Sequence, residues 1–127
     1  MSDSATRAEP TSNLIAHRFP WPEGKRTAVC LSFDVDAESV MHLGFRDEAD
    51  NKIVTRSEMR YDAHVAVPRL LAIFRNHGIR QTFFVPGWCL EASPAMVRAI
   101  LADGHEIAHH GYIHESGNTL SPENERN

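Results

Sequence analysis

Ala28-Val29-Cys30-Leu31-Ser32-Phe33-Asp34-Val35-Asp36 is an apolar run that ends in two carboxylates. A short run of this kind, without helical period, reads as a buried strand, here from about Thr27 to Val35. A second strand is expected at Arg80-Gln81-Thr82-Phe83-Phe84-Val85, closed by Pro86-Gly87, and a third from His105 to about His109. Between the first two lies a helical pattern from Ala66 to His77. Pro68 fits only its first turn, Leu70, Leu71 and Phe74 share a face, and Gly78 supplies the stop. Ser93-Pro94 reads as an N-cap followed by proline at the first helical position. The helix it opens should turn Met96, Val97, Ile100 and Leu101 inward and end at Asp103-Gly104. Strand, helix, strand, helix, strand with short connections is the pattern of a parallel sheet covered by helices, an α/β fold.

The flanks are less regular. Residues 1–24 are polar and interrupted by prolines, and read as an arm that Trp21 could pin to a domain spanning 25–127. From Ala37 to Arg60 no period is sustained, and the charges in Arg46-Asp47-Glu48-Ala49-Asp50-Asn51-Lys52 suggest a solvated loop. The polar stretch 115–127 contains Ser121-Pro122-Glu123-Asn124-Glu125, which looks like the cap of another helix. Three parallel strands cannot close a barrel, and their unpaired edges invite association, including with a second copy. The chain is therefore expected to be the opening part of a larger fold.

Composition narrows the functional classes. With 42% hydrophobic and 24% charged residues, the 127-residue chain is ordinary for one globular domain. A formal charge of −4 offers no basic footprint, so nucleic acid is not an expected partner. No apolar stretch approaches the roughly 18 residues needed to cross a bilayer, so no membrane association is expected. The two cysteines, Cys30 and Cys89, have no metal or disulfide spacing, and Cys30 reads as a small buried hydrophobe. The first residues carry no apolar leader. Together these features suggest a reducing, cytoplasmic setting.

The chemistry is concentrated at strand exits. In parallel α/β folds functional residues gather at the C-terminal ends of strands. Asp34 and Asp36 end the first strand, and His110-Gly111-Tyr112-Ile113-His114 follows the third. A spacing of two would put both carboxylates on one side of an extended segment. A spacing of four would put both imidazoles on one face of a helical turn. Two carboxylates and two imidazoles can hold one divalent metal and leave a carboxylate free as a base. Taken alone, an Asp-x-Asp is more often a loop cap, and paired histidines are as often surface residues. Four of the eight histidines fall between His105 and His114. His105 and His109 are expected to be structural, with Glu115 a candidate to orient a ligand imidazole.

One rival motif occupies the same stretch. His105-Glu106-Ile107-Ala108-His109 matches H-E-x-x-H, the zinc-protease signature, which requires a helix bringing both histidines together. Gly104 ends the preceding helix just before His105. In the extended protease signature Tyr112 and Glu115 would occupy the required Gly and His positions.

Ser32-Phe33-Asp34-Val35-Asp36, Thr82-Phe83-Phe84-Val85 and Gly104-His105-Glu106-Ile107-Ala108-His109-His110-Gly111-Tyr112-Ile113-His114 resemble, in that order, motifs of the polysaccharide deacetylase family (NodB homology domain, carbohydrate esterase family 4). The resemblance covers about residues 20–127 and is greatest to the cytoplasmic branch, which includes peptidoglycan-deacetylase-like proteins and relatives acting on allantoin or cyclic imides. It implies a distorted (β/α) barrel, of which the chain supplies the first three β/α units. It implies that Asp34 is the catalytic base and that Asp36, His110 and His114 bind the metal, with Zn²⁺ the expected ion. Val35 separates aspartates that are adjacent in the usual deacetylase motif. The family also continues past this length, to an Arg-containing motif and a late His that acts as general acid.

Two readings follow. One is a metal-dependent hydrolase of carbon–nitrogen bonds other than peptides, acting on an N-acetylated sugar or a small amide or imide. The other is a truncated chain without catalysis, for which negligible turnover by the isolated chain is the expectation.

Overall fold

A computed structural model describes residues 21–125, so all but the last residues of the expected N-terminal arm, 1–24, lie outside it. Three strands form one parallel sheet in the order β1-β2-β3, with β1 at Ser32–Asp34, β2 at Thr82–Val85 and β3 at Glu106–His109. Residues Ser32, Thr82 and Glu106 stand in register, as do Asp34, Phe84 and Ala108. Side chains alternate across a sheet. One face therefore carries Phe33, Phe83 and Ile107, and the other carries Asp34 and Phe84.

The first face holds the core. Helix α3 (Val67–His77) and helix α5 (Pro94–Ala102) cover it, and Val67, Leu71, Phe74, Met96 and Ile100 close over Phe83 and Val85. Helix α3 forms where its pattern predicts: Pro68 lies in the first turn, and Gly78 ends the helix at a left-handed φ of 62°. Helix α5 likewise ends at Asp103-Gly104, where Gly104 takes a φ of 77°. Phe83 and Ile100 are both fully buried, which makes them the centre of this layer.

Several elements differ from the sequence reading. The first strand is shorter than Thr27–Val35, and Val29 is 83% exposed, because β2 begins only at Thr82 and leaves nothing opposite residues 27–30. Cys30 is consequently exposed, whereas Cys89 is the buried cysteine. The stretch 37–60 is helical rather than a solvated loop. It holds α1 (Ser39–Phe45), a 3₁₀ turn (Arg46–Asn51) and α2 (Ile53–Met59), and a π-helical turn (Asp62–Ala66) then leads into α3. These pieces are too short to stand alone. They are held by tertiary groups: Met41 and Ala49 are buried, and Glu38 takes the guanidinium Nε of Arg56 at 2.7 Å and of Arg60 at 3.1 Å.

A further short helix, α4 (Gly87–Ala92), occupies the β2–α5 connection. At the start of α5, Ser93 holds the N-cap position without a hydroxyl capping bond, and Leu101 is 54% exposed rather than inward. Ser121 does cap a turn, its Oγ accepting the Asn124 N–H at 3.2 Å. Among the described residues, no helix is long and apolar enough to cross a membrane.

Removing the Phe83 ring from this fully buried position should cost about 3–5 kcal/mol. Denaturant unfolding of Phe83→Ala against the parent chain measures it, and a loss below about 1 kcal/mol would mean that the core is not organised around this face.

Candidate metal centre

The functional side chains come from two segments at the C-terminal edge of the sheet. β1 ends at Asp34, and the chain then turns, so the turn and not strand alternation sets the direction of Asp36. After β3 the loop His110–His114 is not helical. Gly111 has a φ of 72° and His114 a φ of 68°, and these two left-handed residues fold the loop back on itself. The two imidazoles meet edge to face, with ring centroids 4.5 Å apart.

Asp36 stands between them. Its Oδ1 is 3.4 Å from His110 Nε2, and its Oδ2 is 3.8 Å from His114 Nε2. One candidate ligand atom from each of Asp36, His110 and His114 lies within 4.8 Å of the others. Among the described residues this is the only such group of three or more. All three side chains are half-buried. Asp36 Oδ1 and His110 Nε2 are buried atoms that face each other without forming a hydrogen bond to any partner. Buried lone pairs left in that state are costly, and a positive charge shared between them relieves the cost. Two imidazole nitrogens and a carboxylate oxygen also match the donor set of a divalent transition metal.

Asp34 lies outside this group of three. It is exposed at the end of β1, opposite Phe84 in the ladder, on the sheet face away from the core. The Phe84 ring is 6.2 Å from that of His110, so Asp34 and the cluster flank the same aromatic side chain. His105 and His109 lie at either end of an extended stretch, not on one helical face. His105 is buried against Phe74 and Phe83, and its Nδ1 accepts the Gln81 N–H at 3.3 Å. That geometry supplies no H-E-x-x-H metal site.

Glu115 does not orient an imidazole. Its Oε2 accepts the backbone N–H of Tyr112 at 2.8 Å and of Ile113 at 3.1 Å, which staples the histidine loop. Burial pushes its carboxyl up, but its own backbone N–H, those of Ile113 and Tyr112, and the nearby His109 outweigh that and lower its pKa from the ordinary value. The loop is also held from the other side. Gly87 N–H and Trp88 N–H, at the start of α4, donate to Gly111 O and Tyr112 O, both at 2.9 Å. A Cβ at Gly87 would lie 2.7 Å from the Tyr112 ring, so a side chain there would have to displace that ring. Sequence reading missed α4 altogether, although Pro86-Gly87 directly after β2 marks the place where a new element starts. An open groove of about 510 Å³, bordered by Gly87, His109, Gly111 and Tyr112, runs beside the loop.

The chain is similar to known proteins in sequence and in fold. A family model described as polysaccharide deacetylase matches residues 23–127. The chain is 35% identical over 108 residues to a peptidoglycan deacetylase-like protein of Gibberella zeae, a match covering 83% of the chain and 32% of that protein. To a peptidoglycan deacetylase of Helicobacter pylori it is 29% identical over 92 residues, covering 72% of the chain and 31% of the relative. A crystal structure from Mycobacterium smegmatis, assigned to the polysaccharide deacetylases, superposes with a TM-score of 0.78 at 44% identity, over 85% of the chain and 37% of that protein. The chain thus spans about a third of the length of the relatives it matches. The parallel three-stranded sheet is accordingly the opening part of a larger α/β barrel. With the model match running from residue 23 to residue 127, the chain belongs to the polysaccharide deacetylase family.

Proposed function

We propose that the chain forms the metal-binding part of a hydrolase that removes acetyl groups from the nitrogen of an acetylated sugar. The observation that carries this reading is the convergence of Asp36, His110 and His114, with Asp36 Oδ1 and His110 Nε2 buried and unpartnered. These three would hold a divalent cation, and the nitrogen-rich donor set favours Zn²⁺. When bound, such an ion supplies Lewis acidity toward a carbonyl and toward water.

The remaining roles fall to residues of the chain. Asp34, exposed on the open sheet face, accepts on its carboxylate the proton of the attacking water. The water oxygen joins the acetyl carbon, the carbon–nitrogen bond breaks, and the nitrogen leaves as the amine once it has gained a proton. The donor of that last proton would be a later histidine, as the resemblance implies. Phe84, between Asp34 and His110, presents an apolar wall that keeps this face partly dry. The peptidoglycan and chitin deacetylases among the relatives favour an N-acetylated carbohydrate over a cyclic imide or allantoin. A cytoplasmic setting belongs to the same proposal.

Titration of the metal-free chain with Zn²⁺ should show one tight equivalent that releases protons and weakens on acidification, since ligating imidazoles must be neutral. Asp36→Ala, His110→Ala and His114→Ala should each abolish it. Binding that survives all three would remove the metal reading.

Because the chain spans about a third of its relatives, catalysis is best tested in a fusion to the remaining portion of the Mycobacterium smegmatis protein. There Asp34→Asn should lower acetate release from N-acetylated chitin oligomers by about 10²–10⁴-fold, the usual worth of a general base. Zn²⁺ affinity should stay close to that of the parent. Equal rates in parent and variant would remove Asp34 from the mechanism, and release from a cyclic imide alone would redirect the substrate.

A further inference from the structure

The peptide unit joining Asp36 to Ala37 is gripped from both sides by groups outside the metal cluster. Its carbonyl oxygen, on Asp36, accepts the Ser39 hydroxyl at 2.7 Å, the Ser39 N–H at 3.0 Å and the Cys89 thiol at 3.1 Å. Its N–H, on Ala37, donates to Asp62 Oδ2 at 3.3 Å. Cys89 comes from α4 and Asp62 from the π-helical turn, 53 and 25 residues away respectively from the groups they hold. Three separate elements therefore converge on one amide.

That amide lies beside a strained residue. Ala37 is buried and has a φ of 43°, in the left-handed region that side-chain-bearing residues avoid. Such conformations persist only where the surroundings over-determine them, and they cluster at functional sites. π-helical turns also concentrate at functional sites. With β1 holding the chain just before Asp36, locking the following peptide plane limits the ψ values open to Asp36, and with them the directions in which its carboxylate can reach.

We propose that Asp62 and Cys89 are positioning residues for Asp36, locking the 36–37 peptide so that its carboxylate stays aimed at His110 and His114 and thereby setting metal affinity. This rests on the metal reading of the cluster. Neither residue touches the ion; each acts through the backbone. Residues that orient a metal ligand in this way are typically worth about 10–100-fold in affinity. The Asp62 contact is made by an oxygen accepting an N–H, so an uncharged amide oxygen can replace it.

The test is competition for Zn²⁺ and Co²⁺ between a chromophoric chelator and the full 127-residue chain, with the Co²⁺ absorption spectrum reporting ligand geometry. Asp62→Ala and Cys89→Ala should each weaken binding by about 10–100-fold and alter the Co²⁺ spectrum. Asp62→Asn should restore both. If Asp62→Asn loses as much affinity as Asp62→Ala, negative charge and not peptide geometry is at work, and the proposal is overturned. Unchanged affinity in both alanine variants overturns it directly. Should Asp62→Ala fail to fold, Ser39→Ala poses the same question by removing one donor to the same carbonyl, and parent-like affinity there counts against the lock. A parent chain that binds no better than Asp36→Ala would instead bring down the metal reading itself, and this inference with it.

Discussion

A helix of six residues, α4, ties together the two halves of the candidate metal centre. Its first two N–H groups hold the loop that carries His110 and His114, while the thiol of the next residue, Cys89, holds the carbonyl of Asp36. These segments are about 75 residues apart in sequence and come from the two edge strands, β1 and β3, which do not touch each other. The connection leaving the central strand reaches both. The parallel order β1-β2-β3 makes this possible, because all three strands deliver their C-terminal ends to the same side. The constraint also bears on Gly87: α4 approaches Tyr112 so closely that a Cβ there would have to displace the ring.

Much of the scaffold was legible because its signals are local. Gly78 and Gly104 end their helices in left-handed conformations, and Pro68 and Pro94 sit in first turns. Gly104 also decided between an extended and a helical reading of His105–His109, which separates this chain from a zinc protease. What stayed hidden depends on partners distant in sequence. Whether Ala28–Leu31 pairs as a strand turns on where β2 begins, and nothing in that run encodes it. The helices within 37–60 are held by Glu38 reaching Arg56 and Arg60, across 18 and 22 residues, so a local search for period finds only charges.

The centre divides in the same way. The residue types and their grouping drew attention to Asp34, Asp36, His110 and His114, yet the geometry that joins three of them is not the regular geometry their spacing suggested. Asp36 is directed by a turn past the end of β1, and the histidines meet through two left-handed residues rather than a helical turn. Glu115 serves this loop by stapling its backbone and not by orienting an imidazole. A carboxylate one residue after a histidine can reach the backbone N–H groups behind it more easily than the ring beside it. Cys89 and Asp62 left no trace in the sequence because each serves one amide of a distant segment.

Backbone strain stands on both sides of the cluster. Ala37 follows one candidate ligand, and His114 is itself another, and both hold a positive φ without being glycine. Conformations of this kind cost of order 1–3 kcal/mol each, so a chain free to relax would abandon them. Relaxation is opposed at Ala37 by Asp62, and in the histidine loop by Glu115 together with Gly87 and Trp88. These contacts are hydrogen bonds to backbone groups, which constrain direction far more than apolar packing does. An arrangement that spends stability to bring a carboxylate within 3.4 Å and 3.8 Å of two imidazole nitrogens is poorly explained by folding alone. A ligand that binds only this geometry returns the cost by mass action, which is how a cation at Asp36, His110 and His114 would stabilise the chain as well as equip it for chemistry.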